Sequence, residues 1–153
     1  MIKIAVFTST RAEYGLMKTL ILKLQDDISF DFTLLVSGTH LNPKFGNTIE
    51  EIKKDGIKNI QLVPISTETH KKEDMNFQTA ELIKSLSIAL KKINPRYLLI
   101  LGDRFETLGA AFTGHILGLK NVHLHGGETS LGALDNKLRN AISQLSSYHF
   151  TSS

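Results

Sequence analysis

Residues 121–139, NVHLHGGETSLGALDNKLR, decide the fold. A short apolar strand, Val122 to His125, runs into the pair Gly126 and Gly127, and a helix follows with apolar spacing Leu134, Leu138, Ala141, Ile142 and Leu145. A strand that breaks on glycine and restarts as a helix is the unit of an open α/β sheet, where ligands bind beyond the carboxyl ends of the strands. Glycine there lets the backbone approach a ligand closely. His123, His125, Glu128 and Asp135 add groups able to transfer protons or hydrogen-bond in the same stretch.

The alternation continues outward in both directions. Ile2 to Thr8 reads as a first strand, and a helix from about Tyr14 to Leu24 carries Leu16, Leu20 and Leu24 on one face. Phe30 to Val36 is a second strand. After the glycine-rich loop SGTHLNPKFGN, Asn47 or Thr48 caps a helix that runs through Lys54 and stops at Gly56. Asn59 to Val63 is a third, short strand. A polar loop around His70 to Asp74 leads into a helix through Lys92, with Leu82, Leu86, Ala89, Leu90 and Ile93 inward, and Asn94-Pro95 ends it. Tyr97 to Leu101, wholly apolar, is expected to be a central strand buried on both faces. A helix to about Leu117, the strand quoted above, and Tyr148 to Thr151 as a sixth strand complete the pattern. Strands alternating with helices pair in parallel through right-handed crossovers, so the fold class is α/β, a Rossmann-like doubly wound parallel sheet.

Composition narrows the function. At 153 residues and 41% hydrophobic content the chain is expected to form one domain with its own core. The net charge of +3 comes from lysines spread along the sequence, which argues against nucleic acid as a partner. With no cysteine, a thiolate nucleophile, a disulfide framework and a Cys-ligated zinc are excluded, and a reducing, cytoplasmic setting is the expectation. MIKIAVFTSTR is too short an apolar run for a signal peptide, and no stretch reaches the roughly 20 apolar residues of a membrane span.

Three loops at strand carboxyl ends form the candidate site. In TSTRAEYG, Arg11 can grip an anion beside helix N-terminal amides, or Arg11 and Glu13 are capping and surface charges. Neither G-x-G-x-x-G nor a Walker sequence is present, so a nicotinamide cofactor and a P-loop nucleotide are unsupported. In LLILGDRFETLGAA, Asp103 either caps the following helix or presents its carboxylate to a ligand, while Arg104 and Glu106 read as first-turn charges. In HLHGGE, His123 and His125 share a strand face. A His-x-His pair is also a zinc pattern, but zinc needs further ligands, for which Glu128, Asp103 or Asp135 would have to serve. The expectation is no metal and no cofactor. His115 and His149 are assigned no role.

TSTRAEYG, SGTHLNPKFGNTIEEI, GDRFETLGAA and HLHGGETSLGALDNKLRNAISQLSSYHFTSS, in this order and spacing, resemble the hydrolysing UDP-N-acetylglucosamine 2-epimerases of the sialic-acid type. The resemblance runs from the first strand to the last residue. It implies one half of a GT-B type two-domain fold with the active site in the cleft, and residues 1–153 match the N-terminal domain. The chain stops at HFTSS, where relatives begin the second, nucleotide-binding domain, so an isolated N-terminal domain is expected.

The chemistry so implied is elimination of UDP with loss of the C2 proton, then hydration of a 2-acetamidoglucal to N-acetylmannosamine. Carried over by position, Asp103 and Glu128 are the acid/base candidates, with His125 beside them. Arg11 falls near the diphosphate, and Ser37, His40, Arg104, His123, Gly126, Gly127 and Asp135 line the substrate pocket. In the related non-hydrolysing branch a glutamate stands at the position of His125. Many relatives read Asp-Glu where this chain has Asp135-Asn136, so either Asp135 suffices or the sugar differs. A UDP-2,4-diacetamido-2,4,6-trideoxyhexose is the alternative substrate, and a GT-B glycosyltransferase or a non-catalytic sugar-binding module are the alternative classes. The partner expected is a UDP-sugar, with homo-oligomerisation of the full-length parent.

Overall fold

In the computed structural model, which describes residues 1–68, 71–124 and 133–151, parallel strands form a six-stranded sheet with helices on both faces. The elements are β1 (Ile2–Thr8), α1 (Arg11–Asp26), β2 (Phe30–Ser37), α2 (Thr48–Lys54), β3 (Ile60–Val63), α3 (Glu73–Ile93), β4 (Tyr97–Leu101), α4 (Phe105–Ile116), β5 (Lys120–Leu124), α5 (Ala133–Gln144) and β6 (Tyr148–Phe150). Two short 3-10 turns, Gly38–Leu41 and Pro43–Phe45, fill the connection from β2 to α2. The side chains of residues 133–135 lie outside the description.

Strand order is β3-β2-β1-β4-β5-β6, so the winding reverses between β1 and β4. The loops after those two strands diverge there and leave a crevice at the carboxyl edge, where doubly wound sheets take ligands. Alternation along the central strands divides the core into two layers. Val6, Leu34, Leu99 and Val122 face α1 and α2 together with Met17, Ile21 and Ile52. Phe7, Leu35, Leu98 and Ile100 pack with Leu82, Leu86, Ala111 and Ile142 of α3, α4 and α5. β4 is buried from Leu98 to Leu101, as its unbroken apolar run requires.

The first helix differs from its sequence reading. Thr10 accepts from the Glu13 amide while Glu13 accepts from the Thr10 amide, and this capping box starts α1 at Arg11. The buried stripe therefore passes through Tyr14, Met17, Ile21 and Leu24, and Leu16 is 65% exposed. Of the expected stripe on α3, Leu82, Leu86, Ala89 and Leu90 are buried and Ile93 is half-buried, with Gln78 joining the buried set. The fifth strand begins at Lys120, two residues before the expected Val122, and His125 at its expected end is outside the described residues.

Candidate functional site

The crevice is built by the first turns of α1 and α4. Glu13 lies in phase with the buried stripe of α1 and is 6% exposed. Its Oε1 accepts from Ser9 N at 2.8 Å, Ser9 Oγ at 2.9 Å and Thr10 N at 3.2 Å. Oε2 is buried without a hydrogen-bond partner among the described residues. Burial drives the pKa of Glu13 up to about 6; the hydrogen bonds from Ser9 pull the other way, Glu106 adds to the rise and Arg104 opposes it.

The charges at the start of α4 are thus felt at the start of α1. Glu106 is 2% exposed, and the Arg104 guanidinium caps its carboxylate: Nε donates to Oε1 and Oε2 at 3.2 Å each, and Nη2 to Oε2 at 3.1 Å. Such a forked contact suits arginine and not lysine. The arginine side chain remains half exposed, with Cζ 5.8 Å from the Phe105 ring centroid. The sequence reading took Glu106 for a first-turn charge. The missed signal is phase, because Glu106, Ala110 and Thr113 recur on the buried face of α4.

Asp103 occupies the bend between β4 and α4 and is half-buried, just after Gly102, whose φ of +94° turns the chain. It does not cap α4, since the residue flanking that helix is Arg104. Beside the crevice a cavity of about 360 Å³ has Thr39, Phe45, Thr67, Gln78, Arg104 and Glu106 among its walls, together with Ile65, Met75, Phe105 and Leu138, and Asp103 is not one of them. Arg104 is thus both a wall of the cavity and the partner of a buried carboxylate.

The remaining candidates divide. Arg11, at the first position of α1, is exposed and pairs with Glu51 of α2 at 3.1 Å. Ser37 is fully buried and donates its hydroxyl to the carbonyl of Val63. His40 is 1% exposed, with Nε2 2.9 Å from Thr8 Oγ1 and Nδ1 3.1 Å from Thr48 Oγ1. Burial lowers its pKa to about 4, against a backbone hydrogen bond at Thr10 that raises it. Ser37 and His40 therefore join β1, β2, β3 and α2 internally, and neither side chain is a wall of the cavity in this structure.

His123 is also fully buried, with Nε2 2.8 Å from the Gly102 carbonyl and Nδ1 3.1 Å from Ser143 Oγ. These two contacts hold the ring inside the sheet edge, and it is not a wall of the cavity. Asp135 lies in the first turn of α5, its side chain outside the description. His125, Gly126, Gly127 and Glu128 lie outside the described residues. Among the described residues no three His, Asp or Glu side chains gather into a metal site. No described helix is long and apolar enough to cross a membrane.

This architecture is one Rossmann-like half of the GT-B type of fold. The chain belongs to the UDP-N-acetylglucosamine 2-epimerase family, whose model matches residues 22–153. It is 37% identical over 148 residues to the hydrolysing UDP-N,N'-diacetylbacillosamine 2-epimerase of Legionella pneumophila, covering 97% of this chain and 39% of that protein. With the hydrolysing GDP/UDP-N,N'-diacetylbacillosamine 2-epimerase of Campylobacter jejuni it shares 35% over 150 residues, covering 98% and 39%. The structure of the Neisseria meningitidis UDP-GlcNAc 2-epimerase, solved with UDP-GlcNAc bound, matches with a TM-score of 0.80 at 22% identity, covering 99% of this chain and 40% of that one. At that identity the likeness is one of fold. The chain spans about two fifths of the length of these relatives.

Proposed function

We propose that the parent protein is a hydrolysing 2-epimerase of a UDP-linked 2-acetamido sugar, and that this chain supplies its acid/base side. The observation that carries the reading is Asp103, placed by the turn at Gly102 at the strand-order reversal, in a chain of this family. The C2 proton of such a sugar is weakly acidic, so its removal needs a positioned base, and departing UDP needs stabilisation of its charge. Asp103 and Glu128 are the proposed proton-transfer groups, with His125 beside them. A base takes the C2 proton as the C1–O bond to the diphosphate breaks, giving a 2-acetamidoglucal and UDP. Water then adds across the double bond, hydroxyl at C1 and proton at C2 on the opposite face, releasing the free 2-epimer. Arg104, half exposed on the cavity wall, and Arg11 at the start of α1 are the cations proposed to meet anionic parts of the substrate.

UDP-N-acetylglucosamine is the simplest sugar that fits this chemistry, with N-acetylmannosamine as product. A second reading, a UDP-2,4-diacetamido-2,4,6-trideoxyhexose, is favoured by the cavity walls. Phe45, Ile65, Met75, Phe105 and Leu138 offer apolar surface for a methyl and a second acetamido group beside the polar walls Thr39, Thr67, Gln78, Arg104 and Glu106. The names of the Legionella and Campylobacter relatives support the same reading. The test is the full-length gene product assayed against both nucleotide sugars in deuterated water, following UDP, free sugar and deuterium at C2. Sugar transferred to an acceptor would make the protein a glycosyltransferase, and binding without exchange at C2 would make it a sugar-binding module. Asp103→Asn and Glu128→Gln are each expected to lower kcat about 10²- to 10⁴-fold.

A further inference from the structure

A histidine with no solvent exposure, on a strand beside a proposed active-site loop, needs an account of what its ring holds. The Gly102 carbonyl can only accept, so Nε2 of His123 carries the proton of that 2.8 Å contact. With Nε2 protonated, Nδ1 is free to accept from the Ser143 hydroxyl of α5, 3.1 Å away, and the two contacts orient the ring plane. The same short stretch is pinned twice more. Gly102 N donates to Leu124 O at 2.9 Å, and Thr107 Oγ1 donates to Leu101 O at 3.2 Å. Gly102 lies in the left-handed region at φ +94°, where a freely rotating peptide has several alternatives.

We propose that His123 is a positioning residue for Asp103: by holding the Gly102 carbonyl it fixes the peptide plane that joins Gly102 to Asp103, and so where the carboxylate starts. The inference rests on the reading of Asp103 as a proton-transfer group. A carboxylate displaced by about 1 Å loses on the order of 10²-fold in rate while substrate still binds, which gives the role a kinetic signature.

The experiment uses the full-length gene product and its natural nucleotide sugar, with Tm recorded for every variant. His123→Leu removes the hydrogen bonds to Gly102 and Ser143. His123→Gln places an amide N–H where Nε2 stood, and His123→Asn reaches only as far as Nδ1. The expected result is a kcat about 10²-fold down in His123→Leu and His123→Asn, KM within about threefold of wild type, and at least a tenfold recovery in His123→Gln. Should the leucine variant fail to fold, the difference between His123→Gln and His123→Asn carries the test. Equal kcat in those two, or a folded His123→Leu with kcat within twofold of wild type, overturns the inference and leaves the functional reading standing. Undiminished turnover in Asp103→Asn overturns the reading and this inference together.

Discussion

The chain with Glu13 replaced by glutamine should gain in stability relative to wild type as pH rises from acid to neutral. The folded pKa of Glu13 is raised by burial from its ordinary value near 4.5 to about 6, so the native state holds a proton that the unfolded chain has already released. The sign follows from proton counting. Where the folded state binds more protons, stability falls as pH rises, and the loss accumulates between about 4.5 and 6 and is complete above it. At 1.36 kcal/mol per pKa unit the ionised side chain costs about 2 kcal/mol at pH 7. Glutamine keeps an acceptor for the Ser9 and Thr10 donors and carries no charge. Urea unfolding of wild type and Glu13→Gln at pH 4, 5, 6 and 7 isolates the effect, since every other titrating group is common to both. The stability difference should grow by about 2 kcal/mol in favour of glutamine from pH 4 to 7. A difference flat with pH, or growing in favour of glutamate, refutes the argument that this carboxylate is charged and poorly compensated in the native crevice.

His40 should act in the opposite direction. Its pKa is lowered from 6.5 to about 4, so its contribution is present above pH 6.5 and lost as pH falls through 4, about 3 kcal/mol in all. His40→Asn should therefore flatten the acid limb of the stability profile, measured by the same titration. Gly38→Ala should cost about 2 kcal/mol, because φ is +63° and the new Cβ would stand 2.6 Å from the Ser9 carbonyl oxygen. Chemical denaturation reads this directly, and a neutral result would mean that the two loops part easily. On α3, Leu86→Ala should cost about 2–5 kcal/mol, whereas Ile88→Ala, at a site 67% exposed, should stay within about 0.5 kcal/mol. Similar values for the two would refute the assigned phase of that helix.

The order of strands and helices was legible because each element carries its own periodicity: the unbroken run of β4 and the Leu82, Leu86, Leu90 stripe of α3 need no distant information. The phase of α1 was not. Leu16 looks like a core residue until the Thr10–Glu13 box fixes where the helix begins. The buried partners of His40 and His123 were illegible for a different reason. His40 meets Thr8 across 32 positions and His123 meets Ser143 across 20, so whether a ring faces ligand or interior is settled by partners that local pattern does not reveal. Asp103 could be located at a strand end from sequence, but its release from capping duty depends on where α4 starts. Buried Glu106 was legible in principle from its phase, and was masked by the habit of reading acidic residues in a first turn as dipole partners.

The polarity of the sheet has a practical consequence for anyone wishing to watch this molecule work. Asp103 and Arg104 lie at the carboxyl ends of the strands, while the opposite edge is closed by short turns such as the one at Ile28, 89% exposed between α1 and β2. The chain contains no cysteine. A thiol introduced by Ile28→Cys would be unique in it, and a fluorophore or surface tether attached there would stand a full strand length from the crevice, reporting on ligand arrival without obstructing it.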